Sequence, residues 1–216
     1  DVLDAAGRVV LPGLVDAHTH LVWAGTRADD FEARLTGTSY LDLLANGGGI
    51  HATVRATRAA SFDDLAARMT ARLDALVDHG VTTVEVKTGY GLTVDEEMRH
   101  LDVIAAAAAA HPAHVVPTFL GAHALPGAYA GEHAPDRGAF VRAVIGMLPR
   151  VAAHPLGLHD PLFYDGFCDA GAFDVAETRA VLTAAKAAGL GLKVHSDEFE
   201  NLGATALAAE LGATSA

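Results

Sequence analysis

The stretch Leu11-Pro12-Gly13-Leu14-Val15-Asp16-Ala17-His18-Thr19-His20 runs from apolar residues into two histidines one residue apart. Read as a strand, Val15 to Leu21, it places the side chains of His18 and His20 on one face. Two imidazoles at the end of a buried strand can grip one metal ion, and imidazole nitrogen suits zinc or iron. A catalytic centre also keeps a coordination position open besides its protein ligands.

Outward from this stretch, short apolar strands alternate with helices that open on polar caps. Ser61 caps a helix expected from Phe62 to Asp78, with Leu65, Met69, Leu73 and Leu76 at helical spacing and Gly80 as its stop. Val81 to Thr88 reads as the second strand. Thr93 and Glu96 form a capping pair for the next helix, which His111-Pro112 ends. His114 to Leu120 is the third strand, and a helix over Arg137 to Ala153 precedes a fourth, Phe163 to Cys168. Asp174 and Glu177 open another helix, ended by Gly189, before a fifth strand, Leu190 to His195. Asn201 is expected to cap a last helix that Gly212 ends. Ala213 to Ala216 reads as the start of a sixth strand.

Mostly apolar strands joined by helices are buried parallel strands. They can form an open doubly wound sheet or a closed eight-unit barrel. The open sheet calls for a glycine-rich phosphate loop after its first strand. Trp23-Ala24-Gly25-Thr26-Arg27 lacks that double-glycine turn. The expected fold is therefore α/β, a (β/α)8 TIM-type barrel of which about the first five units are present. A closed barrel needs about 250 residues, so residues 12–216 are expected to be part of one. Residues 1–11 read as a short strand from a flanking small β-sheet.

Composition narrows the function classes. The formal net charge is −12, and without a basic patch nucleic acid is not an expected partner. The apolar run Ile104 to Ala110 is too short to span a bilayer. No charged-then-apolar export signal opens the chain. The single cysteine, Cys168, excludes an internal disulfide and fits a reducing cytoplasm. Lying in an apolar run, Cys168 reads as a buried structural thiol.

Active sites of such barrels lie at the carboxyl ends of the strands. Those ends supply His18 and His20, then Lys87 before Thr88-Gly89-Tyr90, then His123, then His195 with Glu198 three residues on. Four histidines at three strand ends point to a metal centre, where the pKa of a bound water falls from 15.7 to about 7. Glu198 is placed to carry a proton to a leaving nitrogen; its other reading is a solvated loop acid beside Asp197 and Glu200. Arg27 could bind a substrate carboxylate bidentately, or pair at the surface with Asp29, Asp30 or Glu32. Tyr40 and Tyr90 could hydrogen-bond substrate or serve as lid residues. Gly47-Gly48-Gly49 permits close backbone approach to a ligand but lacks the context of a phosphate loop. Glu85, Lys87 and Lys193 should point into the barrel, where a Glu85–Lys193 pair would keep either charge from standing alone. A rival use of Lys87, as a modified lysine bridging two metals, remains open.

Pro12-Gly13-Leu14-Val15-Asp16-Ala17-His18-Thr19-His20 resembles the entry motif of the amidohydrolase superfamily. Trp23 to Arg27, Asn46 to Ile50, Val86 to Leu92, Phe119 to His123 and Lys193 to Phe199 together resemble the imidazolonepropionase family, along nearly the whole chain. The resemblance implies hydrolysis of the ring amide of 4-imidazolone-5-propanoate, a small anionic cyclic amide, to N-formimidoyl-L-glutamate in histidine degradation. It implies one divalent metal, zinc or iron, held by His18, His20 and His195 with an aspartate later in the protein. It implies that Arg27, Tyr90 and His123, and Tyr40 with them, bind substrate, and that Glu198 contacts substrate and assists the water. A homodimer is the family-level expectation. The family's sixth-strand histidine and eighth-strand aspartate would fall beyond Ala216. The 216 residues alone are therefore expected to be poorly stable and inactive. A deaminase of cyclic bases and a non-catalytic metal-binding homologue are the alternatives.

Overall fold

Strand β2 (Val81–Lys87) shows how side-chain alternation builds the molecule. Val84 and Val86 point one way into a fully buried apolar layer, while Glu85 and Lys87 point the other way and are buried too. The structure, a computed structural model, describes residues 2–39, 42–43, 46–126, 137–158 and 160–216. Its other strands are β1 (Leu14–Asp16), β3 (His114–Ala122), β4 (Phe163–Cys168) and β5 (Gly191–Ser196). They form one sheet in the order β1-β2-β3-β4-β5, every neighbouring pair parallel.

The sheet curls as half a barrel does. Strands lie about 4.8 Å apart, so the edges of a flat five-stranded sheet would stand about 19 Å apart. His18 follows β1 and His195 lies in β5, at the two edges, yet their ring centroids are 4.4 Å apart. The register supports one inward face: Glu85 lies opposite Val116, Lys87 opposite Thr118, and Asp165 opposite Lys193.

The α-helices whose bounds lie in the described residues are α1 (Ala28–Leu35), α2 (Ile50–Ala59), α3 (Phe62–Asp78), α4 (Val94–Ala110), α5 (Arg137–Ala152), α6 (Val175–Ala187) and α7 (Ala204–Leu211). Their starts follow from side-chain caps. Ser61 accepts the Asp64 N–H, Thr93 accepts the Glu96 N–H, and Asp174 and Glu177 form a reciprocal capping box. Leu65, Met69 and Leu73 of α3, Leu101 and Ile104 of α4, Val144 and Met147 of α5, and Val181 and Leu182 of α6 pack with Val84, Val86 and Tyr164 into one core. The strong burial of this layer, about 1.5–3 kcal/mol for each large apolar side chain, holds the helices to the outer face of the sheet. Among the described residues no helix is long and apolar enough to cross a membrane.

Four local expectations are corrected. β1 ends at Asp16 rather than Leu21, because its register shifts at Leu14/Val15 and the Asp16 carboxylate accepts the His18 N–H at 3.3 Å. The segment still runs beside β2, where Thr19 O accepts the Lys87 N–H at 3.0 Å. β3 continues past Leu120 to Ala122. Gly203, in a left-handed conformation, occupies the cap of α7, and Asn201 acts one step earlier by accepting the Gly203 N–H at 3.0 Å. Residues 2–11 carry no strand; Val2, Leu3, Val9 and Val10 are exposed, with no strand beside them among the described residues. The expected sixth strand begins as read: Ser215 bridges Lys193 in parallel, and the Thr214 N–H donates to Leu192 O at 2.7 Å.

Candidate metal centre

Each strand delivers its polar residue to one rim, and the curl of the sheet closes that rim around a point. His18 and His20 arrive from the segment after β1, and His195 from β5. One ring nitrogen from each lies within 4.8 Å of the other two. Nε2 of His20 is 3.3 Å from Nε2 of His195. Two imidazole nitrogens bound tetrahedrally at about 2.0–2.1 Å stand about 3.3–3.4 Å apart, so the donor set fits a small divalent ion. Electrostatics agree. Burial, with His123 and His195 close by, holds His20 well below the usual histidine range. Burial and His195 also lower His18. Neutral imidazole is the ligating form.

Beneath the histidines lies a buried, charge-balanced quartet. Lys87 Nζ is 2.8 Å from Glu85 and 2.7 Å from Asp165, and Lys193 Nζ is 2.6 Å from Glu85. Thr118 donates to the same Glu85 at 2.5 Å. The expected Glu85–Lys193 pair is therefore present, and Lys87 is held by two carboxylates. Asp165 reaches upward as well: Oδ2 lies 2.9 Å from Nδ1 of His195, and Oδ1 accepts the His195 N–H at 3.1 Å. Burial alone would raise Asp165, but His195 and Lys87 outweigh it and hold the carboxyl well below the carboxylate range. Asp165 was not singled out from the sequence. The available signal was a lone acid in an apolar strand, at a position that alternation turns inward with Phe167.

An open cleft of about 1020 Å³ lies above the histidines, lined by Arg27, Tyr90, His123, Phe167 and Glu198 among others. Arg27 forms no ion pair with Asp29, Asp30 or Glu32. Its Nε donates to Thr53 Oγ1 at 2.8 Å, while Asp30 accepts the Gly49 N–H at 2.7 Å. His123 stacks on His20 at 4.9 Å between centroids. The His123 Nδ1–H donates to Gly89 O at 2.9 Å, which leaves Nε2 as the acceptor nitrogen. Burial beside His195 pushes His123 down to about 3. The Tyr90 ring lies 5.3 Å from that of His123 and 5.8 Å from that of His20. Its loop is shaped by Glu97, a fully buried acid that accepts the N–H groups of Gly89, Gly91 and Leu92 at 2.7–3.0 Å. Glu198 is exposed on the cleft wall. Tyr40 lies outside the described residues. Cys168 is buried and away from the cleft wall, and burial pushes its thiol up.

No protein-family model matches the chain. It is 54% identical over 216 residues to the imidazolonepropionase of Symbiobacterium thermophilum, covering 100% of this chain and 49% of that protein. It is 51% identical over 217 residues to the imidazolonepropionase of Herpetosiphon aurantiacus, covering 99% of this chain and 50% of that protein. The chain thus spans about half the length of the curated relatives it matches. Among solved structures it is similar to a triazine hydrolase from Arthrobacter aurescens, at 19% identity and a TM-score of 0.51, covering 93% of this chain and 43% of that one. That likeness bears on the fold alone. Along its entire length the chain is a relative of the imidazolonepropionases, matched to about half of theirs.

Proposed function

We propose that the protein hydrolyses the ring amide of 4-imidazolone-5-propanoate to N-formimidoyl-L-glutamate, in the cytoplasm and as a homodimer. Residues 12–216 would supply the first five units of a (β/α)8 barrel, with residues 1–11 the remnant of a flanking β-sheet domain. His18, His20 and His195 would hold one divalent ion, zinc or iron. The observation that carries the reading is the meeting of these three imidazoles from the two edges of the sheet, 4.8 Å or less between donor nitrogens, in a chain about half identical to proteins of that name.

A divalent ion so held supplies Lewis-acid polarisation of the ring carbonyl and a water that deprotonates near neutral pH. The chain's own residues do the rest. Arg27, presented by Thr53 on the cleft wall, takes the propanoate carboxylate bidentately. Tyr90 and His123, whose rings adjoin at 5.3 Å, contact the ring from one side of the cleft, with Nε2 of His123 placed to accept a hydrogen bond. Water adds to the carbonyl carbon and the ring C–N bond breaks. Glu198 takes the proton from the attacking water and gives it to the departing ring nitrogen. Asp165 fixes the orientation of His195 from behind.

An assay of the full-length enzyme that follows ring opening and ammonia release separately tests the reading. Opening of 4-imidazolone-5-propanoate without ammonia supports it. Ammonia released from a cyclic base, with no ring opening, assigns the same centre to deamination instead.

A further inference from the structure

We propose that Asp169, just past the end of β4, is the positioning residue for Glu198. The inference rests on the proton-carrying reading of Glu198 given above. Glu198 sits in an exposed turn, residues 197–200, that immediately follows β5. A turn of this kind has few contacts of its own to fix a carboxylate to the precision that proton transfer needs. Asp169 supplies them. Asp169 is 2% exposed and does not line the cleft. Oδ2 accepts the N–H groups of Glu198 at 2.7 Å and Phe199 at 2.9 Å, and Oδ1 accepts those of Glu200 at 2.9 Å and Ala170 at 2.7 Å.

Three consecutive backbone donors of the Glu198 turn thus converge on one carboxylate from the loop after β4. Such charge-assisted bonds are short and about twice as strong as neutral ones. The turn is otherwise strained. Asp197 adopts φ 57°, a left-handed backbone unusual for a residue with a side chain. Its carboxylate is spent on Thr205 Oγ1 at 2.6 Å, at the start of α7. Strain of that kind persists where surrounding groups over-determine the conformation, and Asp169 is the group that holds the next three residues. An amide cannot replace it. Each oxygen accepts two N–H groups, so an asparagine NH2 would face two donors whichever way it turned.

The test compares wild type, D169N, E198Q and the double variant in the full-length, metal-loaded enzyme. Acting through Glu198, D169N should lower kcat about ten- to hundredfold while KM changes by less than about threefold. The double variant should then be no slower than E198Q alone. Amide exchange at residues 198–200 should speed at least about tenfold in D169N, with β4 and β5 unchanged. An unaltered kcat, or a double variant whose loss is the product of the two single losses, overturns the proposal. If the wild type fails to open the imidazolone ring, the functional reading falls by itself and the exchange data decide on Asp169: unchanged exchange at 198–200 overturns it. Should D169N not fold, a wild-type crystal structure with a non-hydrolysable ring analogue decides. Glu198 on the ring nitrogen with the three turn N–H groups on Asp169 supports the proposal, and their absence overturns it.

Discussion

Oδ2 of Asp165 lies 2.9 Å from Nδ1 of His195. A carboxylate at this distance favours the tautomer protonated on Nδ1, leaves Nε2 to face the other histidines and makes that nitrogen a better donor. The same oxygen is 2.7 Å from Lys87 Nζ, so the centre and the buried charges under it share one residue. D165N should weaken metal binding about ten- to hundredfold, as read by competition with a chromophoric chelator. It should also lower stability by about 3 kcal/mol, the lower end of the cost of removing one partner from a buried ion pair, since Glu85 remains on Lys87.

Among the described residues, Arg27 is held on the cleft wall by one hydrogen bond, from Nε to Thr53. Its remaining donors are then available to a substrate carboxylate. R27M should raise KM about ten- to hundredfold, the size of a lost hydrogen bond to a charged group, with kcat changed less than about threefold. R27K should recover little of it, because an ammonium cannot present the planar pair of donors. Steady-state kinetics on the full-length enzyme check both.

Gly89 cannot carry a side chain. Its φ is +117°, and an added Cβ would lie 2.7 Å from Nδ1 of His123. G89A should therefore move His123 and break its bond to the Gly89 carbonyl. Activity should fall at least about tenfold, consistent with about 1–3 kcal/mol of strain for such a backbone. Steady-state kinetics at saturating metal, so that any shift of His20 under the His123 ring is not limiting, measure the loss.

His100, in α4, is fully buried, and among the described residues neither ring nitrogen has a hydrogen-bond partner. Burial, with Arg99 and Arg58 nearby, pushes it down to about 3 from an ordinary 6.5. Between those values the unfolded chain binds a proton that the folded chain refuses, so stability is lost as pH falls from about 6.5 towards 3. At pH 5 the loss from this residue is about 2 kcal/mol. H100L should remove that part of the acid sensitivity, and urea unfolding at pH 5 and pH 7.5 measures it.

The parts of this structure legible in the sequence were those set by local rules. The bounds of β4 and the Asp174–Glu177 box follow from alternation and capping within a few residues. The meeting of His18, His20 and His195 was legible because the strand–helix alternation itself says which ends share a rim. Asp165 and Asp169 were not, because what makes each matter is a partner across the fold: the His195 ring and the turn after β5. Arg27 shows the reverse limit. Its acidic neighbours in sequence left a surface pair and a substrate carboxylate equally open, and its bond to Thr53 lies 26 positions away. The end of β1 was misjudged because its register shift is a property of the β1–β2 pair and of neither strand alone.

The most direct measurement is anomalous diffraction at the zinc and iron edges from crystals of the full-length protein. One peak about 2.0–2.1 Å from a ring nitrogen of each of His18, His20 and His195, lost in H20A, is the predicted result. No peak among these rings in active enzyme, or a peak that persists in H20A, would contradict the account.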